Sequence, residues 1–190
     1  TGGDMGAHVV PIKYFIENFA SNFKINGWSN DWFAGYPLYF FYFPFPAILT
    51  YLVNLIIPYG VAFKLMVAGS IVLIVYSIEK LFRKEDYLFS HIGIAAGLMF
   101  ALTESFTIYG GNLASTLAGQ FSFTYSLGFA NLAIYYISKS KHKYKFPISS
   151  IFLSLCLLSH LIPFILYLPA YSIYWLTKKE KIQFKLMSIF

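Results

Sequence analysis

Long apolar segments separated by short clusters of charged residues run along most of the chain, a pattern typical of a protein that crosses a membrane several times. A spanning helix needs about 20 mostly apolar residues. The last apolar segment, 146–177, is too long for one such helix, and Pro163 near its middle breaks the helical hydrogen-bond ladder. We therefore divide it at a turn near residues 160–163, although one long kinked helix is the alternative. The pattern predicts five spans, near residues 60–80, 87–107, 121–138, 146–160 and 163–177.

The basic residues indicate which ends of these spans face the cytoplasm. With the five spans as drawn, three basic clusters fall on one side of the membrane, and positively charged loops are retained on the cytoplasmic side. A single long helix over 146–177 would place the last cluster outside, which favours two short helices. The clusters hold 11 of the 14 lysines and arginines: Lys80, Arg83 and Lys84; Lys139, Lys141, Lys143 and Lys145; Lys178, Lys179, Lys181 and Lys185.

The first 59 residues then lie outside the cytoplasm. Residues 13–23 have a loose helical spacing of apolar side chains, and 27–37 is a loop rich in tryptophan and glycine. The segment 37–59 is apolar enough to span, but a span here would invert every later segment. We therefore expect a helix at about 46–57 that lies in the outer membrane interface, where aromatic residues are favoured.

Composition supports the assignment to a membrane. Hydrophobic residues make up 58% of the chain and charged residues only 12%, whereas soluble domains carry about 25% charged residues. We expect an all-α, polytopic transmembrane helix bundle over 60–190, with interfacial helices in a first extracytoplasmic loop over 1–59. The cytoplasmic clusters account for the net charge of +6, so no nucleic-acid partner is needed. The expected surrounding is the lipid bilayer of a prokaryotic plasma membrane.

The start of the chain, TGGDMGAH at 1–8, combines an acid, a histidine and three glycines. Glycine leaves the backbone free and aspartate competes for backbone donors, so this stretch predicts a loop suited to a functional site. A plain solvated loop is the alternative. Because the chain begins without methionine and stops inside an apolar segment, we expect it to be a piece of a longer membrane protein, with a helix upstream of Thr1.

Three longer motifs carry a resemblance to a known family. TGGDMGAHV at 1–9, GWSNDWFAGYPLYFFYFPFPA at 27–47 and IYGGNLASTLAGQFSFTYSLG at 108–128 resemble the polytopic membrane proteins named 6-pyruvoyl-tetrahydropterin synthase-related, in their membrane domain. The resemblance extends to about Leu132. Pterin synthase chemistry is not expected, because the four histidines lie on different segments and on opposite membrane faces, without the spacing of metal ligands. We therefore predict no bound metal and no cofactor, and leave a divalent-metal requirement open.

The order of segments is also similar to that of the GT-C type glycosyltransferases, which use sugars carried on polyprenyl phosphate. In that family the first outer loop carries an essential aspartate and two interfacial helices before the next span. In its lipid-modifying members, the second interfacial helix opens with a proline-containing turn and leads to an arginine near the top of that span. Pro37, Leu38 and Lys64 occupy comparable places in this chain.

This second resemblance implies roles for several polar residues. Asp4 would be the general base that takes the proton of the acceptor hydroxyl. His8 would orient the acceptor or Asp4, and a solvated or backbone-bonded side chain is the alternative for both residues. Lys64 would contact the donor phosphate, unless its tip simply reaches the outer lipid headgroups. Asp31 lies between two tryptophans and could bind a sugar, since aromatic rings beside a carboxylate suit its faces and hydroxyl groups; a turn or capping role is the alternative.

Glu104 and Asn112 are the remaining candidates for substrate binding. Glu104 lies near the outer end of a span, and Asn112 follows two glycines that permit tight turns. Ionisable residues within membranes usually face the protein interior or a water-filled cavity. We therefore expect Asp4, Glu104 and Asn112 around one extracytoplasmic cavity, whereas a Glu104 side chain at the water interface is the alternative.

These features predict a membrane glycosyltransferase that moves a sugar from a polyprenyl-phosphate donor to an extracytoplasmic glycan, lipid or protein acceptor. The alternative is a non-catalytic protein: a transporter, flippase or scaffold for lipid-linked glycans. A transporter should place ionisable residues near the middle of the bilayer. In this sequence they lie near one face, which favours a site over a transport path.

Overall fold

The computed structural model describes residues 2–31, 34–83, 87–104, 110–139, 141–178 and 185. This part of the chain is mostly helical, and its strands form one short antiparallel hairpin. The hairpin pairs β1 (Gly27–Ser29) with β2 (Tyr36–Leu38). The helices are α1 (Met5–Asn18), α2 (Phe45–Asn54), α3 (Tyr59–Phe82), α4 (Tyr87–Ala101), the short α5 (Leu113–Ser115), α6 (Phe121–Ser138), α7 (Lys145–Ser159) and α8 (Leu161–Thr177). A kinked turn, Thr116–Gln120, in which Gly119 departs from helical backbone angles, joins α5 to α6.

Helices α3, α6 and α8 run in the same direction through the bundle. Near the start of α6, the Tyr125 hydroxyl donates a hydrogen bond of 2.6 Å to the Met66 carbonyl oxygen in the first half of α3. Further along, Asn131 Nδ2 donates to Ser77 Oγ at 3.1 Å. The Tyr167 hydroxyl of α8 donates to Asn131 Oδ1 at 2.8 Å. Asn131 therefore joins three helices inside the bundle.

Helices α4 and α7 run in the opposite direction. Along α4, Gly93 lies against Glu79 and Gly97 lies against Val75, so the residue numbers on α3 fall as those on α4 rise. A Cβ atom on Gly93 would meet the Glu79 Cα atom at 2.8 Å, which shows how closely the two backbones approach. Small residues permit such contacts between membrane helices. Helix α7 is joined to α8 by a one-residue turn at His160.

The alternation gives the bundle two different ends. The loop end carries α1, the hairpin, α2, the segment 110–120 and the turn at His160. The basic end carries the ends of α3, α6 and α8 and the start of α7, with the described residues Lys80, Arg83, Lys139, Lys141, Lys143, Lys145, Lys178 and Lys185. The remaining members of the predicted basic clusters, Lys84, Lys179 and Lys181, lie outside the described residues.

Each predicted span overlaps one of the five long helices, whose bounds differ from the predicted ones. Helix α4 ends at Ala101 rather than near 107, and residues 105–107 lie outside the described part. The predicted turn is at His160 alone, and Pro163 lies in the first turn of α8, where proline removes no helical hydrogen bond. Among the described helices, α3 alone is long and apolar enough to cross a membrane by length and composition; α2, α4, α7 and α8 are apolar but shorter.

The bundle is apolar outside and partly polar inside. Hydroxyl and amide side chains are buried between its helices: Ser70, Ser77, Thr124, Ser126, Asn131, Ser149 and Ser159. Large apolar side chains cover much of the outer surface, among them Leu65 and Val72 on α3, Leu98 and Met99 on α4, Ile151 on α7, and Ile165, Leu166 and Leu176 on α8.

The first 58 residues fold onto the loop end. The predicted loop at 1–8 is wrong beyond Asp4, because α1 begins at Met5. The expected helix near 46–57 is present as α2, although it ends at Asn54. Side chains of α1, such as Ile12 and Phe15, share a buried apolar cluster with Phe121 and Tyr125 of α6. The first segment is therefore packed onto the bundle rather than standing apart from it.

Candidate functional site

A cavity of about 360 Å³ opens at the loop end of the bundle. Four pieces of chain enclose it: α1, the hairpin, the segment that leads into α2, and the start of α6. Its lining combines aromatic rings with polar side chains, and the described lining residues include neither lysine nor arginine. The polar and aromatic lining residues are Asp4, His8, Tyr14, Ser29, Asp31, Tyr36, Tyr39, Tyr42, Phe43, Gln120, Phe121 and Ser122.

Asp4 stands at the beginning of α1, in the N-cap position. Its backbone N–H donates a hydrogen bond of 2.8 Å to the Ala118 carbonyl oxygen, but its side chain does not cap the helix. Gly119 adopts a φ of 120°, which L side chains rarely adopt, and a Cβ atom there would lie 2.9 Å from the Asp4 carbonyl carbon. Two close backbone contacts therefore hold an exposed carboxylate at the cavity wall without engaging it in hydrogen bonds to the described residues.

His8 lies one helical turn after Asp4 and is half-buried. Its ring packs against Tyr42, with ring centroids 5.6 Å apart, and edge-on against Phe121 at 5.0 Å. Burial lowers the pKa of His8 below its usual 6.5, and the nearby Asp4 carboxylate opposes this shift. The imidazole is therefore neutral at pH 7, with one nitrogen able to donate a hydrogen bond and the other able to accept one.

Two tyrosines form much of the aromatic wall. Burial raises the pKa of Tyr42 to about 12, while the adjacent Ser122 hydroxyl acts to lower it. Burial also raises the pKa of Tyr39, which packs edge-on against Phe15 at 5.4 Å. Tyr39 has a φ of 60°, a left-handed conformation that is unusual for a bulky residue and often accompanies functional sites. Both hydroxyl groups therefore remain protonated at physiological pH.

Asp31, a predicted sugar-binding residue, lines the same cavity. It is exposed, and its backbone N–H contacts Ser29 Oγ at 3.4 Å in the turn that follows β1. Of the two tryptophans beside it, Trp32 lies outside the described residues. Trp28 is largely exposed, and its indole lies directly against Gly35. The structure thus brings together Asp4, His8 and Asp31.

Lys64 lies elsewhere, in a second and more open groove of about 580 Å³. This groove runs between α1, α3 and the segment 113–117, and its lining is apolar except for Lys64 and Thr116. Met5 and Val9 belong to it, whereas their helix neighbours Asp4 and His8 line the cavity. The first turns of α1 therefore separate the cavity from the groove.

Glu104 and Asn112 do not line the cavity that contains Asp4, so the expectation of one cavity around all three is wrong. Asn112 is buried, and its side chain has a structural role. Its Oδ1 accepts a hydrogen bond from the Ser115 N–H at 2.9 Å and caps α5, while its Nδ2 donates to the Thr103 carbonyl oxygen at 3.2 Å. Glu104 is exposed beside Thr103, at the same end of the bundle as Asp4. The two glycines at 110–111 therefore precede a helix cap rather than a binding residue of this cavity.

Tyr42, Gln120 and Ser122 are lining residues that the sequence analysis did not single out. All three belong to the longer motifs quoted above, but nothing in their spacing distinguishes them from neighbouring aromatic and hydroxyl residues. Among the described residues, no group of three or more histidine, cysteine or acidic side chains could hold a metal ion. Comparison of the chain with protein-family models, curated proteins and solved structures found no match.

Proposed function

We propose that the chain is part of a membrane glycosyltransferase that transfers a sugar from a polyprenyl-phosphate donor to an extracytoplasmic acceptor. Asp4 is the general base, the cavity binds the acceptor, and the apolar groove beside Lys64 takes the donor. The proposal invokes no metal ion or cofactor. The observation that carries it is the Asp4 carboxylate, which lies unengaged at the wall of a cavity beside a neutral histidine.

A membrane location is supported by the outer surface and by the charges. The exposed apolar residues of α3, α4, α7 and α8 suit contact with lipid, and the buried hydroxyl and amide groups suit contacts between membrane helices. The lysines gathered at the basic end suit the cytoplasmic side. In this orientation five spans alternate across the membrane, and the loop end with its cavity faces outward.

The reaction needs a base on the acceptor side. The oxygen of an acceptor hydroxyl attacks the anomeric carbon of the donor sugar while the bond to the polyprenyl phosphate breaks, and the phosphate leaves with the bonding electrons. Asp4 takes the proton that the hydroxyl loses, a contribution of about 10²–10⁴-fold for a well-placed base. His8 hydrogen-bonds to the acceptor as a neutral imidazole. Attack from the side opposite the leaving phosphate inverts the configuration at the anomeric carbon.

The groove suits the donor because it combines an apolar wall with a single cation. The isoprenoid chain lies along α3 and the segment 113–117, and Lys64 attracts the phosphate. The cavity and the groove lie on the two sides of the first turns of α1. The acceptor in the cavity and the donor in the groove therefore approach each other at this helix terminus. The positive end of the helix dipole also favours a phosphate there.

A transport path receives less support from the structure. Within the described parts of the five long helices, the acidic, basic and histidine residues lie towards the helix ends rather than mid-bundle: Lys64, Glu79, Lys80, His91 and Lys145. Glu79 is engaged by Arg83 Nε at 2.7 Å and by Ser90 Oγ at 2.6 Å. A transporter for charged substrates would need such groups near the middle of the bilayer.

The direct test is transfer of radiolabelled sugar from polyprenyl phosphate by the intact protein in reconstituted membranes. Incorporation of label into added glycan or lipid acceptors, with release of polyprenyl phosphate, is the expected result. Movement of the intact labelled lipid between leaflets without any bond cleavage would instead indicate a flippase. The absence of both sugar transfer and lipid movement would indicate a scaffold.

A further inference from the structure

Ser122 is an exception among the buried polar groups of this protein. It is 3% exposed, and its hydroxyl oxygen is the single fully shielded side-chain oxygen or nitrogen among the described residues that has no hydrogen-bond partner. Other buried serines in the bundle are satisfied: Ser70 by Val67, Ser77 by Ile74, Ser126 by Cys156, Ser149 by Phe146 and Ser159 by Leu155. An unsatisfied buried hydroxyl costs free energy, so it requires an explanation.

The location of Ser122 supplies that explanation. It lines the cavity at the start of α6, close enough to the Tyr42 hydroxyl to act to lower the pKa of that tyrosine. Gln120, which directly follows the kink at Gly119, lines the same wall. A bound molecule with its own hydroxyl group would satisfy Ser122 and Tyr42 together.

The lining also restricts the class of molecule. Two carboxylates, Asp4 and Asp31, with no described lysine or arginine beside them disfavour an anion. Aromatic rings such as Tyr39 and Phe121 offer flat apolar faces, and about 360 Å³ suits a small ligand rather than a long chain. A neutral ring that carries several hydroxyl groups matches all three conditions.

We propose that Ser122 and Tyr42 form a subsite that recognises one hydroxyl group of a neutral sugar ring bound in the cavity. The assignment of this sugar as the acceptor rests on the proposed function, whereas binding itself does not. Recognition of a hydroxyl by buried polar groups gives strong discrimination, because an analogue without it leaves those groups unpaired. Ser122 is therefore a specificity-determining residue.

The test is binding of methyl glycosides of glucose, galactose and mannose to the intact protein in lipid nanodiscs, measured by saturation-transfer NMR. We expect Ser122→Ala and Tyr42→Phe each to weaken binding of the preferred glycoside by about 3- to 10-fold, the usual effect of one hydrogen bond. The deoxy analogues of the preferred glycoside, each without one hydroxyl group, are measured as well. The analogue that lacks the recognised hydroxyl should bind wild type and Ser122→Ala equally weakly. Ser70→Ala is the matched control, because Ser70 is a buried helical serine away from the cavity and bonded only within α3.

Three results would overturn the subsite: no glycoside binding to wild type, no effect of Ser122→Ala, or an equal loss for every deoxy analogue. Failure of the transferase proposal is distinguishable, because glycoside binding is measured without a polyprenyl-phosphate donor and does not require sugar transfer. Glycoside binding that depends on Ser122 in a protein without transfer activity would support the subsite and refute the transferase.

Discussion

The backbone N–H of Asp4 donates a hydrogen bond to the Ala118 carbonyl oxygen, 2.8 Å away, and this contact joins the first turn of α1 to the segment that leads into α6. The two ends of the contact come from the first and third sequence motifs. It places Asp4 at the wall of the cavity. Gln120 and Ser122, which follow Ala118 closely in the sequence, line the same cavity. The candidate base and the candidate recognition residues are thus held together by backbone.

Gly119→Ala tests this arrangement. Its φ of 120° disfavours any side chain, and the added methyl group would press on the Asp4 backbone. We expect a loss of about 1–3 kcal/mol in the free energy of unfolding and a fall in transfer activity as Asp4 moves. Gly6→Ala is the control, since nothing lies within 4 Å of a Cβ atom there and alanine favours helix. A Gly119→Ala protein with normal stability and activity would show that the contact does not position Asp4.

The pKa of His8 should report the charge on Asp4. Burial lowers this pKa below 6.5 and Asp4 opposes the shift, so Asp4→Asn should lower it further. Histidine NMR of the intact protein would measure both values. Because the folded pKa lies below the unfolded one, the contribution of His8 to stability is complete above pH 6.5 and is lost as the pH falls towards the folded value. An unchanged or raised His8 pKa in Asp4→Asn would contradict the predicted contact.

Asn131→Ala tests the two hydrogen bonds by which Asn131 of α6 joins α3 and α8. The substitution removes the bonds to Ser77 and Tyr167 and leaves the tyrosine hydroxyl unpaired. Hydrogen bonds between membrane helices contribute about 0.6 kcal/mol on average, so we expect a loss of roughly 1–3 kcal/mol in unfolding experiments. Tyr167→Phe removes one bond only and should cost less. Equal stability of the wild type and the two variants would mean that these hydrogen bonds contribute nothing to the free energy of unfolding.

The orientation is testable with an impermeant maleimide on intact cells. Cys156 is fully buried, so background labelling should be low. Asn30→Cys in the hairpin turn and Lys141→Cys at the basic end both place the thiol at an exposed position. We expect labelling of Asn30→Cys in intact cells and of Lys141→Cys only after permeabilisation. The reverse pattern would place the basic end outside and exclude the proposed donor and acceptor geometry.

The five long helices could be predicted because their signals are local. Apolar stretches of the required length and basic clusters between them located each helix and the alternation of ends. The bounds were less accurate where two signals disagreed. Pro163 suggested a break, yet it fits the first turn of α8. The break lies at His160, whose carbonyl oxygen accepts a hydrogen bond of 2.8 Å from the Ser126 hydroxyl. That contact spans 34 residues and leaves no local pattern.

The site was only partly accessible to sequence reasoning. Asp4, His8 and Asp31 were found because acids and histidines are rare in this apolar chain. Glu104 met the same criterion but does not line the cavity, and Asn112, chosen because it follows two glycines, uses its side chain to cap α5. Ser122 was missed because hydroxyl residues are common in the bundle, and its distinction is a missing partner. Such a property exists only once the fold has placed every other hydroxyl.

Transfer by Asp4→Asn is the measurement that tests the central claim most directly. The amide is nearly isosteric, and the Asp4 side chain does not cap α1, so the fold should persist. We predict a fall of about 10²–10⁴-fold in sugar transfer from polyprenyl phosphate in reconstituted membranes. Glu17→Gln on the same helix, an exposed acid paired with Lys13 at 3.8 Å, should retain wild-type transfer. Transfer by Asp4→Asn at the wild-type rate would contradict the assignment of Asp4 as the base.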